Sequence, residues 1–119
     1  GLAKGPIRFQ RLQLQRNDVT SECGALIANA DWAGEIEHLD LSSNEMFGDD
    51  GLEAIATSKK LTKLKSINLD FTGLYERAAD IICASPVFAQ LEWFELGITA
   101  ADIDKIRAKF PKTSSKPTS

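Results

Sequence analysis

Apolar positions along the chain recur in one phase. Four stretches, beginning at Phe9, Ile36, Leu64 and Leu91, read FQRLQLQRN, IEHLDLSSN, LKSINLDFT and LEWFELGIT. Each follows apolar-x-x-apolar-x-Leu-x-x-Asn/Thr, and their starts lie 27, 28 and 27 residues apart. The third apolar slot is always leucine: Leu14, Leu41, Leu69 and Leu96. Strict alternation inside each stretch predicts a short strand with one buried face. A fixed period over most of the chain predicts a stack of equivalent rungs, each burying its apolar face against the next.

Between the strands the pattern turns helical. TSECGALIANA predicts a helix over 20–30, and DDGLEAIATS one that opens at Asp49 or Asp50, good capping residues. YERAADIICAS predicts a helix over about 75–85 that Pro86 stops. TAADIDKIRAKF sets Thr99 three residues before Asp102, a capping pattern, and puts Ile103, Ile106 and Phe110 on one face. Gly24 and Gly51 each follow their Asn by seven residues, where a small residue lets the helix approach the sheet. Neither belongs to a GxGxxG or Walker spacing, so a phosphate loop is not indicated.

These stretches resemble the leucine-rich repeat family, over about residues 9–110. The 27–28-residue length resembles its ribonuclease-inhibitor-like class, in which a strand is paired with a full helix. NEMFGDDGLEAIA is similar to the second half of that class's repeat, and TSKKLTKLKSINL and ASPVFAQLEWFEL to the helix-to-strand return of its bacterial members. Thr72 and Thr99 depart from the expected asparagine, and Ala79 from the expected helix glycine. The resemblance implies an α/β fold: a right-handed solenoid, a horseshoe segment of about four rungs with a parallel sheet on its concave face. It also implies a protein-interaction module rather than an enzyme. Residues 1–8 are expected to form an N-terminal extension or partial cap, and polar 111–119 a disordered tail. So short a cap suggests the C-terminal part of a longer repeat protein. The alternative is a structural capping or spacer segment of a larger protein.

The asparagine has a physical reason. In a stacked ladder the inward columns are Leu12 and Leu14, Leu39 and Leu41, Ile67 and Leu69, Phe94 and Leu96. Directly afterwards the chain turns inside the stack, where each unpartnered backbone group costs about 1–3 kcal/mol. An amide side chain carries a donor and an acceptor, so Asn17 and Asn44 can satisfy such groups across rungs. Thr72 and Thr99 offer a hydroxyl, which does part of the job.

Composition narrows the function. Fourteen basic and seventeen acidic residues give a net charge of −3 without a Lys/Arg run, which gives no indication of a nucleic-acid partner. No apolar stretch approaches the ~18 residues of a membrane span. Cys23 and Cys83 fall in helices two repeats apart, too far for a disulfide; free thiols fit a reducing, cytoplasmic setting.

Candidate contacts lie on the outward strand positions, in the columns Arg11, His38, Ser66, Trp93; Gln13, Asp40, Asn68, Glu95; and Gln15, Ser42, Asp70, Gly97. Arg16, Ser43, Phe71 and Ile98 sit just beyond. Trp93 and Phe71 beside charges suit an interface, although Trp93 equally suits covering the end of the sheet. The expected partner surface is Arg11, Gln13, Arg16, His38, Asp40, Asn68, Asp70, Phe71, Trp93 and Glu95. His38 with Asp40, Asp70 and Glu95 could form a metal site or an acid–base pair, but one histidine on an open face favours solvated side chains. No catalytic residue, metal or cofactor is therefore assigned. Three gaps of about 4.8 Å by about 17 Å of strand give a face on the order of 250 Å². A standard interface takes about 800 Å² per partner, so loops or further repeats must join in.

Overall fold

The computed structural model describes residues 10–115. Phe9, the extension over 1–8 and the last residues 116–119 lie outside the described residues. Strands and helices alternate: β1 (Arg11–Gln13), α1 (Ser21–Asn29), a 3₁₀ turn (Asp31–Glu35), β2 (His38–Asp40), α2 (Gly48–Ala56), β3 (Ser66–Leu69), α3 (Ala78–Cys83), α4 (Pro86–Ala89), β4 (Trp93–Leu96), α5 (Ala100–Lys109) and β5 (Ser114–Ser115).

The strands form one parallel sheet in chain order. Leu12, Leu39, Ile67 and Phe94 stand in register, as do Leu69 and Leu96. The ladder runs on past the strands: Leu14 N–H donates to the Asp40 carbonyl at 2.8 Å and Leu41 N–H to Asn68 at 2.9 Å. The four repeat leucines thus share one ladder step. At each strand start one carbonyl takes two N–H groups: Gln10 from Glu37 and His38, Glu37 from Lys65 and Ser66, Lys65 from Glu92 and Trp93.

One core joins the inward strand residues to Leu52, Ile55, Ile82 and Ile106 of the helices, which follow one another in chain order across the sheet. Columns buried at β2 to β4 are only half-buried at Leu12 and Leu14. Ile103 and Phe110 join Ile106 against the core, as the α5 pattern predicts.

Asn44 is the internal fastener. It is 2% exposed, and its Oδ1 accepts from the backbone N–H groups of Asn17 and Val19, both at 2.9 Å. Its Nδ2 donates to the carbonyls of Leu14 (2.9 Å), Leu41 (2.8 Å) and Ser42 (3.2 Å). Asn17, expected to do likewise, is exposed and bonds only within its own turn through Nδ2, to the Gln15 carbonyl. Thr72 is buried and donates to the Leu69 carbonyl at 2.6 Å. Thr99 caps α5 instead, its Oγ1 accepting from Asp102 N–H at 3.2 Å.

Other expectations are corrected. Asp49 and Asp50 do not cap α2, which starts at Gly48; Asp49 instead accepts from Tyr75 and Arg77 N–H of the next turn. The helix expected over 75–85 is shorter, and Pro86 opens α4 rather than only ending α3. Its fixed φ and missing N–H suit a first helical position, and Ser85 Oγ caps Phe88 N–H at 3.1 Å. Chain expected to be disordered from 111 turns and pairs β5 with β4; Thr113 Oγ1 donates to the Leu91 carbonyl at 2.9 Å.

The glycine expectation also shifts. A Cβ on Gly51 would meet the Phe47 ring at 2.7–2.9 Å, and one on Gly24 would meet it at 2.7 Å. The close approach is therefore to an aromatic wedge between helices. Strands β2 and β3 are 28 residues apart in phase (Leu39, Ile67), whereas buried Phe47, Gly51, Leu52 and Ile55 recur 27 residues later as Leu74, Ala78, Ala79 and Ile82. Ala78, not Ala79, takes the glycine's place, beside the smaller Leu74.

Candidate functional site

The outward strand faces assemble one predicted group. Parallel register brings Arg11, His38, Ser66 and Trp93 side by side, with Gln13, Asp40, Asn68 and Glu95 as the next column. Arg11, Gln13, His38, Asp40, Asn68 and Trp93 line one shallow depression of about 170 Å³. His38 Nδ1 lies 2.7 Å from Ser66 Oγ. Asp40 Oδ1 accepts from Ser42 N–H (3.0 Å) and Ser42 Oγ (2.7 Å), and Asn68 Oδ1 accepts from Asp70 N–H at 3.0 Å. These two side chains turn along their own strands and fix the strand ends. Trp93 and Glu95 are half-buried and engaged.

Asp70, Phe71 and Arg16 fall elsewhere, at the edge where strands turn into helices. Arg16, Ser43 and Phe71 occupy one phase and share left-handed backbone, φ 56°, 61° and 56°. That conformation carries the chain out of the ladder. Phe71 is 67% exposed. Two more residues of this edge were not among the predicted contacts: Met46, 76% exposed, and Tyr75, 74% exposed. Tyr75 was legible in principle. Matching Leu74 to Phe47 removes one residue from the third turn and leaves Tyr75 ahead of the helix.

Among the described residues every ion pair links one rung to the next. Asp31 meets Lys60 (2.9 Å), Glu35 Lys63 (3.6 Å) and Glu37 Lys65 (3.3 Å). Arg77 meets Asp50 (2.5 Å) and Glu53 (3.3 Å), and Lys105 meets Asp80 (2.5 Å). The Lys60 hydrogen bond and charge hold Asp31 below its ordinary carboxylate value, while Asp50 raises Arg77 and Asp80 raises Lys105. Cys23 is lowered by hydrogen bonds from Thr20, the backbone one first. Cys23 and Cys83 are free and half-buried. Among the described residues no three His, Cys, Asp or Glu side chains converge as metal ligands, and no helix is long and apolar enough to cross a membrane.

Parallel strand–helix rungs in register, with a buried asparagine after the second strand, define a class of repeat. Residues 36–56 match the family model described as Leucine Rich repeat, and the second rung is a leucine-rich repeat. No curated protein and no solved structure gives a significant match. Domains of this family are generally protein-interaction modules and generally non-enzymatic.

Proposed function

We propose that this chain is a non-enzymatic binding module for a protein, a ribonuclease-inhibitor-like solenoid segment whose sheet face is the partner surface. One observation carries the reading: the ladder sets Arg11, His38, Ser66 and Trp93 of four rungs in register across an open face. The depression there is smaller than the roughly 300–1,000 Å³ of small-molecule sites. It suits side chains of a partner better than a substrate. Gln13 and Asn68 offer amides to the same partner, with Asp40 and Glu95 as charged neighbours; Arg16, Asp70 and Phe71, at the turn edge, are outside this face. A net charge of −3 favours protein over nucleic acid. The test is a photo-cross-linking residue at His38 and, separately, at Asp104 on α5. A partner captured from His38 and not from Asp104 supports the reading; equal capture at both positions ends it.

The alternative, a capping or spacing segment, draws on the half-buried Leu12 and Leu14 of β1. A designed repeat joined ahead of Gln10 that raises the melting temperature favours stacking there.

A further inference from the structure

The turn edge carries a second surface with its own chemistry. Phe71 lines two open depressions, of about 360 and 510 Å³, and Tyr75 lines the latter and a third of about 470 Å³. Met46 lies at one end of this strip and half-buried Ile98 at the other. The apolar side chains therefore follow one path across three rungs.

Folding does not account for them. A bulky residue at φ 56° is strained, and Arg16 and Ser43 show that polar side chains serve the same turn. Phe71 leaves most of its apolar surface in water, so packing against this chain covers only a minor part of it.

The rim fixes the occupant. Asp18, Glu45 and Asp70 line the first two depressions, and Glu76 and Asp102 the third; no Lys or Arg lines any of them. Among the described residues none of these five carboxylates is in an ion pair. The paired carboxylates Asp31, Glu35, Glu37, Asp50, Glu53 and Asp80 all sit away from the strip's lining. Negative charge outside any ion pair thus borders exposed apolar groups, with Lys105 acting on Asp102 at longer range.

We infer that this edge binds a basic amphipathic peptide segment of a protein partner, its apolar side chains against Met46, Phe71 and Tyr75 and its Lys or Arg side chains against Glu45, Asp70 and Glu76. This surface is separate from the sheet-face depression and stands if the sheet-face reading fails. Apolar anchors supply the affinity, and charge complementarity sets register and on-rate.

The experiment uses the whole chain and three labelled peptides, KLRFKLRF, ELEFELEF and KSRSKSRS, read by fluorescence anisotropy at low and high salt. KLRFKLRF is expected to bind at least about tenfold tighter than either control, and more weakly at high salt. Phe71→Asn keeps a residue that accepts positive φ and removes the anchor; it weakens binding by about tenfold or more. Glu45→Gln with Asp70→Asn reduces the salt dependence, while His38→Ala changes nothing. The inference is overturned by absent binding, by equal binding of the controls, or by indifference to Phe71→Asn. It is also overturned by a concentration-dependent dimer that Phe71→Asn dissolves, which would assign the strip to a second copy of this chain.

Discussion

The second and third turns of the stack meet the same problem with different chemistry. Each must leave the sheet, pass through the interior and begin a helix. In the second turn Asn44 binds five backbone groups, three in the first rung and two at its own strand end, and Phe47 wedges between Gly24 and Gly51. In the third turn Thr72 makes one hydroxyl bond to its own rung, while Gly48 N–H reaches the Thr72 carbonyl at 2.8 Å. The remaining contact passes to Asp49, whose carboxylate receives the Tyr75 and Arg77 N–H groups at the exposed edge. Gly73, at φ 72°, lets the shortened turn pass the Glu45 carbonyl, which a Cβ there would strike. A buried amide fastener gives way to a carboxylate at the surface. The lesson is that the repeat tolerates loss of its asparagine when an acidic residue on the preceding helix reaches across.

The largest test of that contrast is the apolar wedge. Phe47→Ala should cost about 3–5 kcal/mol, because the buried ring packs on Gly24 and Gly51, whose helices already approach closely and have little room to collapse further. Leu74→Ala, at the looser third turn, should cost less, at the low end of about 2–5 kcal/mol. Chemical denaturation measures both, and equal costs would show that the two turns do not differ in packing.

Next comes the fastener itself. Asn44→Ala should cost about 1–3 kcal/mol, since buried Val19 N–H and the Leu41 carbonyl lose their partner. Thr72→Val keeps shape and loses one hydrogen bond, so about 1 kcal/mol is expected. A Thr72 variant as damaging as the Asn44 variant breaks the comparison.

A graft between the turns sharpens it further. Gly51→Ala pushes a methyl into the Phe47 ring and should cost about 1–3 kcal/mol by overpacking. Adding Phe47→Leu copies the Leu74–Ala78 pair of the third turn. The double variant is expected to be more stable than Gly51→Ala alone, and strictly additive losses in a double-mutant cycle would refute the pairing.

How much of this was readable beforehand follows from which forces repeat. The strand phase was legible because each rung buries the same alternation, so Leu41 and Leu69 announce themselves. Asn44 was legible because its need is backbone chemistry that any rung shares. Asp49 was misread as a cap: a local pattern near a helix start looks the same whether the carboxylate turns to its own helix or to the next rung. Pro86 was read as a stop, yet a proline suits a new first turn as well as an old last one. On the sheet face, column membership of Arg11, His38 and Trp93 followed from period two, and the structure gathers them. Asp70 and Phe71 left that face because left-handed backbone at Phe71 turns the chain, and nothing in residue type foretold a bulky side chain there.

The smallest effect separates two fasteners at one boundary. The first and second rungs are joined through Asn44 inside and through Asp31 with Lys60 outside. Asp31 is held below its ordinary value of 3.8 by the Lys60 hydrogen bond and charge, so folding favours its ionised form. Its contribution is whole above the unfolded value and disappears as pH falls through the lower folded one. Asn44 does not titrate. Thermal melts of Lys60→Met against the parent should therefore show a small difference at neutral pH that vanishes in strong acid, while the Asn44→Ala difference persists there. Both fasteners span the same gap between rungs, so a Lys60→Met deficit that survives acidification would mean that the lysine stem, and not its charge, holds the outer side of the rungs together.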